Sequence, residues 1–425
     1  MAGTSNEGDS APEDAAPGWR RGVALAVTAQ LLSVMGFSCA VSFLPLFIQT
    51  LGIPSPERAA LWAGSLSFSQ AMMVAICSPF WGIVADRHGA KLMVCRAVFG
   101  GGVVFVAISF AGQVEQLLFL FLLLGFFTGV NTAIVTLVSG IAPRRHLGAA
   151  IGACQTGVFV GVSLGPTVGG VLADAFSFRV GVRGGAALLL LAGAITLVGI
   201  TEPPRVVAPA APLARRRGVL AGFRVAGLPR PLLLLIGLTF LIQFSLQMMS
   251  PVLPIYVQQL APGVTRVATV VGLVLGVGGV ASAFGALLVG RAGDRFGQRR
   301  ALGWTAAGGG LALGLQAFVG GIAPLLGLRA LSGFFTGGLS AGTNASIGAL
   351  VPSGSRGAAF GVAGSAFSLG NAFGPLLGGF LAEGLGPRAV IGLGAAALGC
   401  GWILVQAVVR AEARAEVDAG AAGTP

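Results

Sequence analysis

Charge is what this 425-residue chain has least of. Asp, Glu, Lys and Arg make up 9% of it, against roughly 25% in soluble globular domains. With 55% hydrophobic residues and a mean hydropathy of +0.89, it lacks the polar surface a soluble fold needs. Lysine is reduced to Lys91 beside 25 arginines, and histidine to His88 and His146. The five cysteines, Cys39, Cys77, Cys95, Cys154 and Cys400, are scattered and odd in number, so neither a disulfide framework nor a metal-ligand spacing emerges. No Gly-rich loop followed by Lys-Ser or Lys-Thr is present, which argues against ATP hydrolysis and leaves no cofactor or metal expected. No cleavable signal is expected either, because the first apolar run is long and follows a polar segment.

What fills the chain instead is apolar stretch after apolar stretch. Twelve can be marked, near 22–48, 60–84, 92–111, 117–141, 149–173, 182–201, 231–259, 267–290, 300–320, 324–350, 357–381 and 389–409. Each can cross a hydrocarbon core of about 30 Å as a helix. The polar turns between them are a poor fit to a β-barrel, whose strands are shorter and alternate in polarity. The expected fold is therefore an all-α membrane protein of twelve transmembrane helices in two six-helix bundles, 22–201 and 231–409. Flanking them are disordered tails at 1–21 and 410–425 and a basic linker at 202–230.

The net charge of +12 points away from nucleic acid once its distribution is seen. Twelve crossings with a cytoplasmic N-terminus put twenty Lys and Arg on the inner side, among them Arg20, Arg21, Arg87, Lys91, Arg96, Arg144 and Arg145. Only Arg58, Arg179, Arg183, Arg266 and Arg388 fall outside, and Arg329 lies within a helix. That is a positive-inside bias, which places both termini in the cytoplasm. The basic linker reads as a topology signal, with contact to anionic lipid as the alternative.

The chain also repeats itself. Gly82-Ile-Val-Ala-Asp86-Arg87-His-Gly89-Ala-Lys91 returns 208 residues later as Gly290-Arg-Ala-Gly-Asp294-Arg295-Phe-Gly297-Gln-Arg299. Gly-Phe-Phe-Thr-Gly at 125–129 recurs unchanged at 333–337, and Gly165-Pro166-Thr-Val-Gly169-Gly170 recurs as Gly374-Pro375-Leu-Leu-Gly378-Gly379. A near-constant offset from the first crossing of each half to beyond the fifth implies duplication. Six crossings is an even number, so the copies are parallel repeats related by an axis along the membrane normal. Gly157, Gly161, Gly165 and Gly169, and in the second half Gly370, Gly374 and Gly378, form small-residue stripes that admit another backbone. Pro166 and Pro375 each remove an amide donor and bend the helix.

In the charged turn, Gly89 and Gly297 permit a compact return through positive φ, and Gly82 and Gly290 are expected to admit a neighbouring helix. Asp86 and Asp294 are expected near the next helix start, where free amides favour an anion. Together with Arg87, Lys91, Arg295 and Arg299 they suit a gate that holds one face shut in one state and releases it in the other. The bland alternative is that they are ordinary topology charges.

On these residues the chain resembles the major facilitator superfamily over about 22–409. Residues 82–91 and 290–299 resemble the family's signature loop and its second copy. Gly161, Gly165, Pro166, Gly169 and Gly170 resemble the helix 5 signature of its twelve-helix drug:proton antiporters. Ser78-Pro79-Phe80-Trp81-Gly82 and Pro143-Arg144-Arg145 are similar to bacterial multidrug exporters of that branch. The antiporters often carry an Arg in helix 4 where this chain has Phe121; Arg329 stands at the matching place in the second half. An Arg inside a membrane helix is costly and is usually functional or paired, although one near a helix end can snorkel.

Polar groups at membrane depth mark a candidate substrate path: Gln30, Ser33 and Ser38 with Phe37, then Asn131, Gln243, Gln247, Arg329 and Asn344. Helix-to-helix hydrogen bonding is the alternative for each of them. An aromatic, sparsely polar cavity suits amphipathic compounds better than sugars. The expectation is a multi-pass inner-membrane exporter of small hydrophobic or amphipathic molecules, monomeric and exchanging them for protons. A facilitator-type importer or metabolite exporter, and a channel-like or non-transporting receptor, remain alternatives. The coupling site is open, since the central thirds of the crossings contain no Asp, Glu or His.

Overall fold

The computed structural model describes residues 18–202, 229–351 and 356–422, almost all of them helical. The first half comprises α1 (Trp19–Val41), α2 (Leu44–Gln49), α3 (Pro56–His88), α4 (Ala90–Phe110), α5 (Val114–Phe127), α6 (Val130–Ile141), α7 (Leu147–Ala175) and α8 (Phe178–Gly199). The second comprises α9 (Arg230–Met248), α10 (Leu253–Leu260), α11 (Val267–Phe296), α12 (Gln298–Leu315), α13 (Ile322–Leu350), α14 (Arg356–Leu385) and α15 (Pro387–Ala422). The pairs α1/α2, α5/α6 and α9/α10 are interrupted single crossings, so the described helices supply the twelve expected. Ten are long and apolar enough to span a membrane by composition. The other two, α12 and α14, are diluted by Gly, Ala and polar residues.

Two boundaries differ from expectation. α1 begins at Trp19, inside the stretch expected to be disordered, and α15 runs on to Ala422 through the expected tail. Residues beyond 409 are rich in Ala, Glu and Arg, strong helix formers that favour continuing the helix. Residues 1–17 and 203–228, the rest of the expected N-tail and most of the linker, lie outside the described residues.

The duplication is visible as symmetry. Gln49 and Gln258, repeat equivalents at the ends of α2 and α10, hydrogen-bond reciprocally through their side-chain amides at 3.3 and 3.4 Å. Equivalent residues that touch each other must straddle the two-fold axis. Around it, the halves meet through two matched contacts, α7 with α11 and α14 with α3. Close approach there depends on glycine. A Cβ at Gly272 would run into the Pro166 carbonyl, and one at Gly64 into the Pro375 carbonyl. Gly170 meets the Ala268 carbonyl and Gly379 the Ala60 carbonyl in the same way.

These contacts occupy one end of the molecule only. On α3 the face carrying Ala60, Gly64 and Phe68 packs against α14, with Phe68 and Phe373 rings 5.4 Å apart. Continuing down that face every fourth residue, Met72, Ile76 and Phe80 are exposed. α11 repeats the pattern: Ala268, Gly272 and Gly276 pack on α7, while Val280, Phe284 and Leu288 are exposed. Two apolar clusters bridge the halves at the joined end, one built on Phe43, Leu46, Met249 and Tyr256, the other on Ala60, Met248 and Val252. The halves are thus joined at the end holding the starts of α3 and α11, and parted at the end bearing the two charged turns.

Candidate functional site

The joined end is latched by symmetry-related acids. Asp174, in the last turn of α7, accepts hydrogen bonds from the Ala268 and Thr269 amides at 3.3 and 2.6 Å, capping the start of α11 from the opposite half. Free N-terminal amides and the helix dipole both favour a carboxylate there. Its repeat equivalent Glu383 pairs instead with Arg58 at the start of α3, at 3.5 Å. The Thr167 hydroxyl adds another bond across the halves, donating to the Gly272 carbonyl at 3.1 Å.

The small-residue stripes do different work. Gly157, Gly161, Gly165 and Gly169 pack on Val27, Leu31, Met35 and Cys39 of α1, within the first half. Gly370, Gly374 and Gly378 pack on α9 around Phe240, Phe244 and Met248, within the second. The stripes therefore hold each bundle together, while Pro166, Gly170, Pro375 and Gly379 face the opposite half.

At the parted end, Gly89 and Gly297 both have positive φ, at 94° and 91°, and join consecutive helices with no intervening loop. Arg87 and Arg295 are exposed, Lys91 and Arg299 half-buried. A Cβ at Gly82 or Gly290 would meet nothing within 4 Å, so these glycines admit no neighbour here; the halves stand apart at this level. The backbone of Asp86 belongs to the last turn of α3, not to the start of α4, and the side chains of Asp86 and Asp294 lie outside the described residues. The anion at the α4 start is Glu202, whose two oxygens accept from the Ala90 and Lys91 amides at 3.0 and 2.9 Å. Sequence reasoning missed it because the cap comes from 112 residues away.

Arg96, expected on the inner loops, lies within α4. Its guanidinium stacks 3.8 Å from the Trp81 ring centroid, and its Nη2 donates to the Thr128 carbonyl at 3.3 Å. Trp81 Nε1 donates to the Phe126 carbonyl at 2.8 Å. These two donors satisfy carbonyls where the crossing breaks between α5 and α6, at Gly129 with φ 131°. The identical pentapeptide at 333–337 stays in one continuous helix, α13. At the equivalent offset Trp81 becomes Val289 and Arg96 becomes Trp304, so no such donor pair exists to stabilise a break.

The expected path residues divide. Gln243 and Asn344 come together with Thr239, Thr343, Phe360 and Phe367 around a cavity of about 250 Å³ between α9, α13 and α14. Gln243 Nε2 also donates to Asn371 Oδ1 at 2.9 Å. Asn131 is exposed at the start of α6. Phe37 is half-buried against Phe105, their ring centroids 5.9 Å apart, and Ser38 and Gln247 pack against Gly165 and Gly374. Gln30 and Ser33 do not join them: both are buried in the first bundle, and Gln30 has no side-chain hydrogen-bond partner among the described residues. Phe121 is likewise core, in α5. Arg329 does not snorkel; its Nη1 donates to Met249 Sδ at 3.1 Å, beside Gly278.

The family model described as Major Facilitator Superfamily matches residues 26–279 and 267–424. The chain is 34% identical over 284 residues to "Multidrug resistance protein MdtG" of Rahnella sp. (strain Y9602), covering 67% of this chain and 68% of that protein. The protein of the same description from Escherichia coli (strain K12 / DH10B) is 34% identical over 284 residues, 67% of this chain and 69% of that one. Among solved structures, a bacterial homolog to human lysosomal transporter Spinster, inward-facing and occupied, is similar with a TM-score of 0.77 at 15% identity, covering 93% of this chain and 97% of that one. A bacterial homologue of iron transporter ferroportin in the inward-facing state gives a TM-score of 0.65 at 17% identity, over 92% and 98%. At such identities the likeness is one of fold.

Proposed function

We propose that this chain, which belongs to the Major Facilitator Superfamily, is a secondary active transporter that exports small hydrophobic or amphipathic compounds across the cytoplasmic membrane in exchange for protons. The observation that carries the reading is the one-ended opening: the halves join through α7/α11 and α3/α14 at one end and part at the other. Two rigid bundles that meet on an axis and separate at one end are the geometry of a rocking carrier. The multidrug resistance proteins at 34% identity support drug export in particular.

The arginine bias supports cytoplasmic termini, and with them a cytoplasmic location for the parted end. The state is then inward-facing, its 250 Å³ cavity serving a substrate from the cytoplasm. In the outward-facing state the charged turns approach, and Gly82 and Gly290 gain the neighbours they lack here. Asp86, Arg87, Lys91, Asp294, Arg295 and Arg299 then form the inner gate. One chain supplies both halves, so a monomer suffices.

The test is movement of fluorescent amphipathic compounds into inverted membrane vesicles on imposing an inside-acid pH gradient. Uptake should follow the gradient and collapse with a protonophore. Movement independent of the gradient would instead support a facilitator, the reading favoured by the lack of acid at mid-membrane.

A further inference from the structure

Arg329 lies within a membrane crossing, and its counterpart in the other half, Phe121, is buried core. It lies seven residues into α13, about 10 Å from the joined end. The ion pair formed among the described residues is Arg58–Glu383, so Arg329 has no described carboxylate within 4.0 Å. Among the described residues its side chain hydrogen-bonds to the thioether of Met249, a weak acceptor for a full positive charge.

The backbone beneath it is nonetheless held firmly. Ser332 Oγ donates to the Arg329 carbonyl at 3.1 Å, and Gln316 Nε2 donates to Ser332 Oγ at 3.0 Å and the Leu328 carbonyl at 3.4 Å. Tyr256 Oη in turn donates to the Gln316 carbonyl at 2.6 Å. Tyr256, Gln316 and Ser332 are all buried. Gly278 leaves room for the arginine stem, a Cβ there falling 3.2 Å from Cγ and 3.1 Å from Nε. A positioned turn thus carries a half-buried, charge-uncompensated head group.

Three helical turns along α13, on the same face, Ser340 lines the cavity with Ile242, Gln243, Phe360 and Phe367. Met249 stands about 10 Å above Ile242 along the same crossing. The guanidinium thus stands about 16 Å along α13 from an apolar, aromatic cavity whose lining carries the hydroxyl and amide groups of Thr239, Gln243, Ser340, Thr343 and Asn344. The described acids, Glu57, Glu115, Asp174, Glu202 and Glu383, all sit at or near helix ends.

Resting on the transporter reading above, we propose that Arg329 is the substrate-recognising residue and that the transported compounds are amphipathic organic anions. The negative head group displaces the Met249 contact and takes the guanidinium, while the apolar body fills the cavity of α9, α13 and α14. A lipophilic cation would meet like charge at Arg329 and no described acid to offset it.

The test uses one dansyl scaffold in three charge forms: a carboxylate, its methyl ester and a quaternary ammonium analogue. Each is presented to the full-length protein in proteoliposomes, with binding read in parallel by fluorescence in detergent. Wild type should bind and move the carboxylate about tenfold better than the ester, and the ammonium least. Arg329→Gln should erase that preference, lowering carboxylate movement about tenfold relative to the ester, and Arg329→Lys should restore part of it. Equal or better handling of the ammonium by wild type would overturn the proposal without needing any variant. So would an equal loss of all three compounds in a folded Arg329→Gln protein, which marks a structural role. If none of the three moved under any gradient, the transporter reading itself would fail.

Discussion

Gly272→Ala tests the joint between the halves most sharply. The new methyl carbon would overlap the Pro166 carbonyl and lie 2.9 Å from the Pro166 carbonyl carbon and the Thr167 Cα, all backbone. Backbone cannot rotate away, so the helices must separate. Overpacking of this kind costs about 1–3 kcal/mol, and it is felt only in the state where α7 and α11 touch. The gain in helix propensity over Gly is common to both states and cancels. An inward/outward equilibrium should then shift by about 5–150-fold toward the state with the joined end open. Gly64→Ala, facing the Pro375 carbonyl, should act alike through the other contact. The assay is double electron–electron resonance between spin labels at positions 54 and 264, in the loops of the joined end. Gly165→Ala is the control. Its methyl would meet the Met35 carbonyl at 2.6 Å and Ser38 Cβ at 2.8 Å, inside the first bundle, lowering stability without favouring either state. If Gly272→Ala left the distances unchanged, or Gly165→Ala moved them as far, the division between joint and scaffold would be wrong.

Asp174→Asn keeps an acceptor for the α11 amides but loses the charge, which costs about 0.3–1 kcal/mol at a helix N-terminus. The joined end should open about two- to fivefold more often, read by thiol labelling at position 264. Glu383→Gln should change labelling little, because the Arg58–Glu383 pair is exposed. Trp81→Phe leaves the Phe126 carbonyl without its 2.8 Å donor at the α5/α6 break; apparent thermal stability in detergent should fall by about 0.6–1.7 kcal/mol. Gln30→Met removes a buried amide with no described partner, so stability should stay level or rise by up to about 1–3 kcal/mol. A clear loss would mean that Gln30 serves a hydrogen bond.

The frame of the protein was legible because duplication writes the same loop twice. Gly89 and Gly297 reach the same positive φ, and Gln49 meets Gln258 on the axis the offset implied. Local pattern could not show which surface a motif faces. The glycine stripe of α7 announced a close-packed backbone but not whose; it packs on α1, while Gly170 and Pro166 turn to the other half. Identical pentapeptides at 125–129 and 333–337 fold differently because their donors, Trp81 and Arg96, come from other helices. Glu202 and Asp174 cap helix starts 112 and 94 residues away, contacts that no window of sequence contains. Gln30 looked like a path residue because polarity at depth is rare; burial in a bundle satisfies the same pattern.

The most direct test of alternating access is to follow both ends at once. Spin labels at 54 and 264 report the joined end. A second pair at exposed positions 140 and 349, where α6 and α13 finish, reports the parted end. On adding substrate and an imposed pH gradient, the two distances should change in opposite directions, one lengthening as the other shortens. Distances that lengthen together, accompanied by ion conduction at channel rates, would contradict the carrier account.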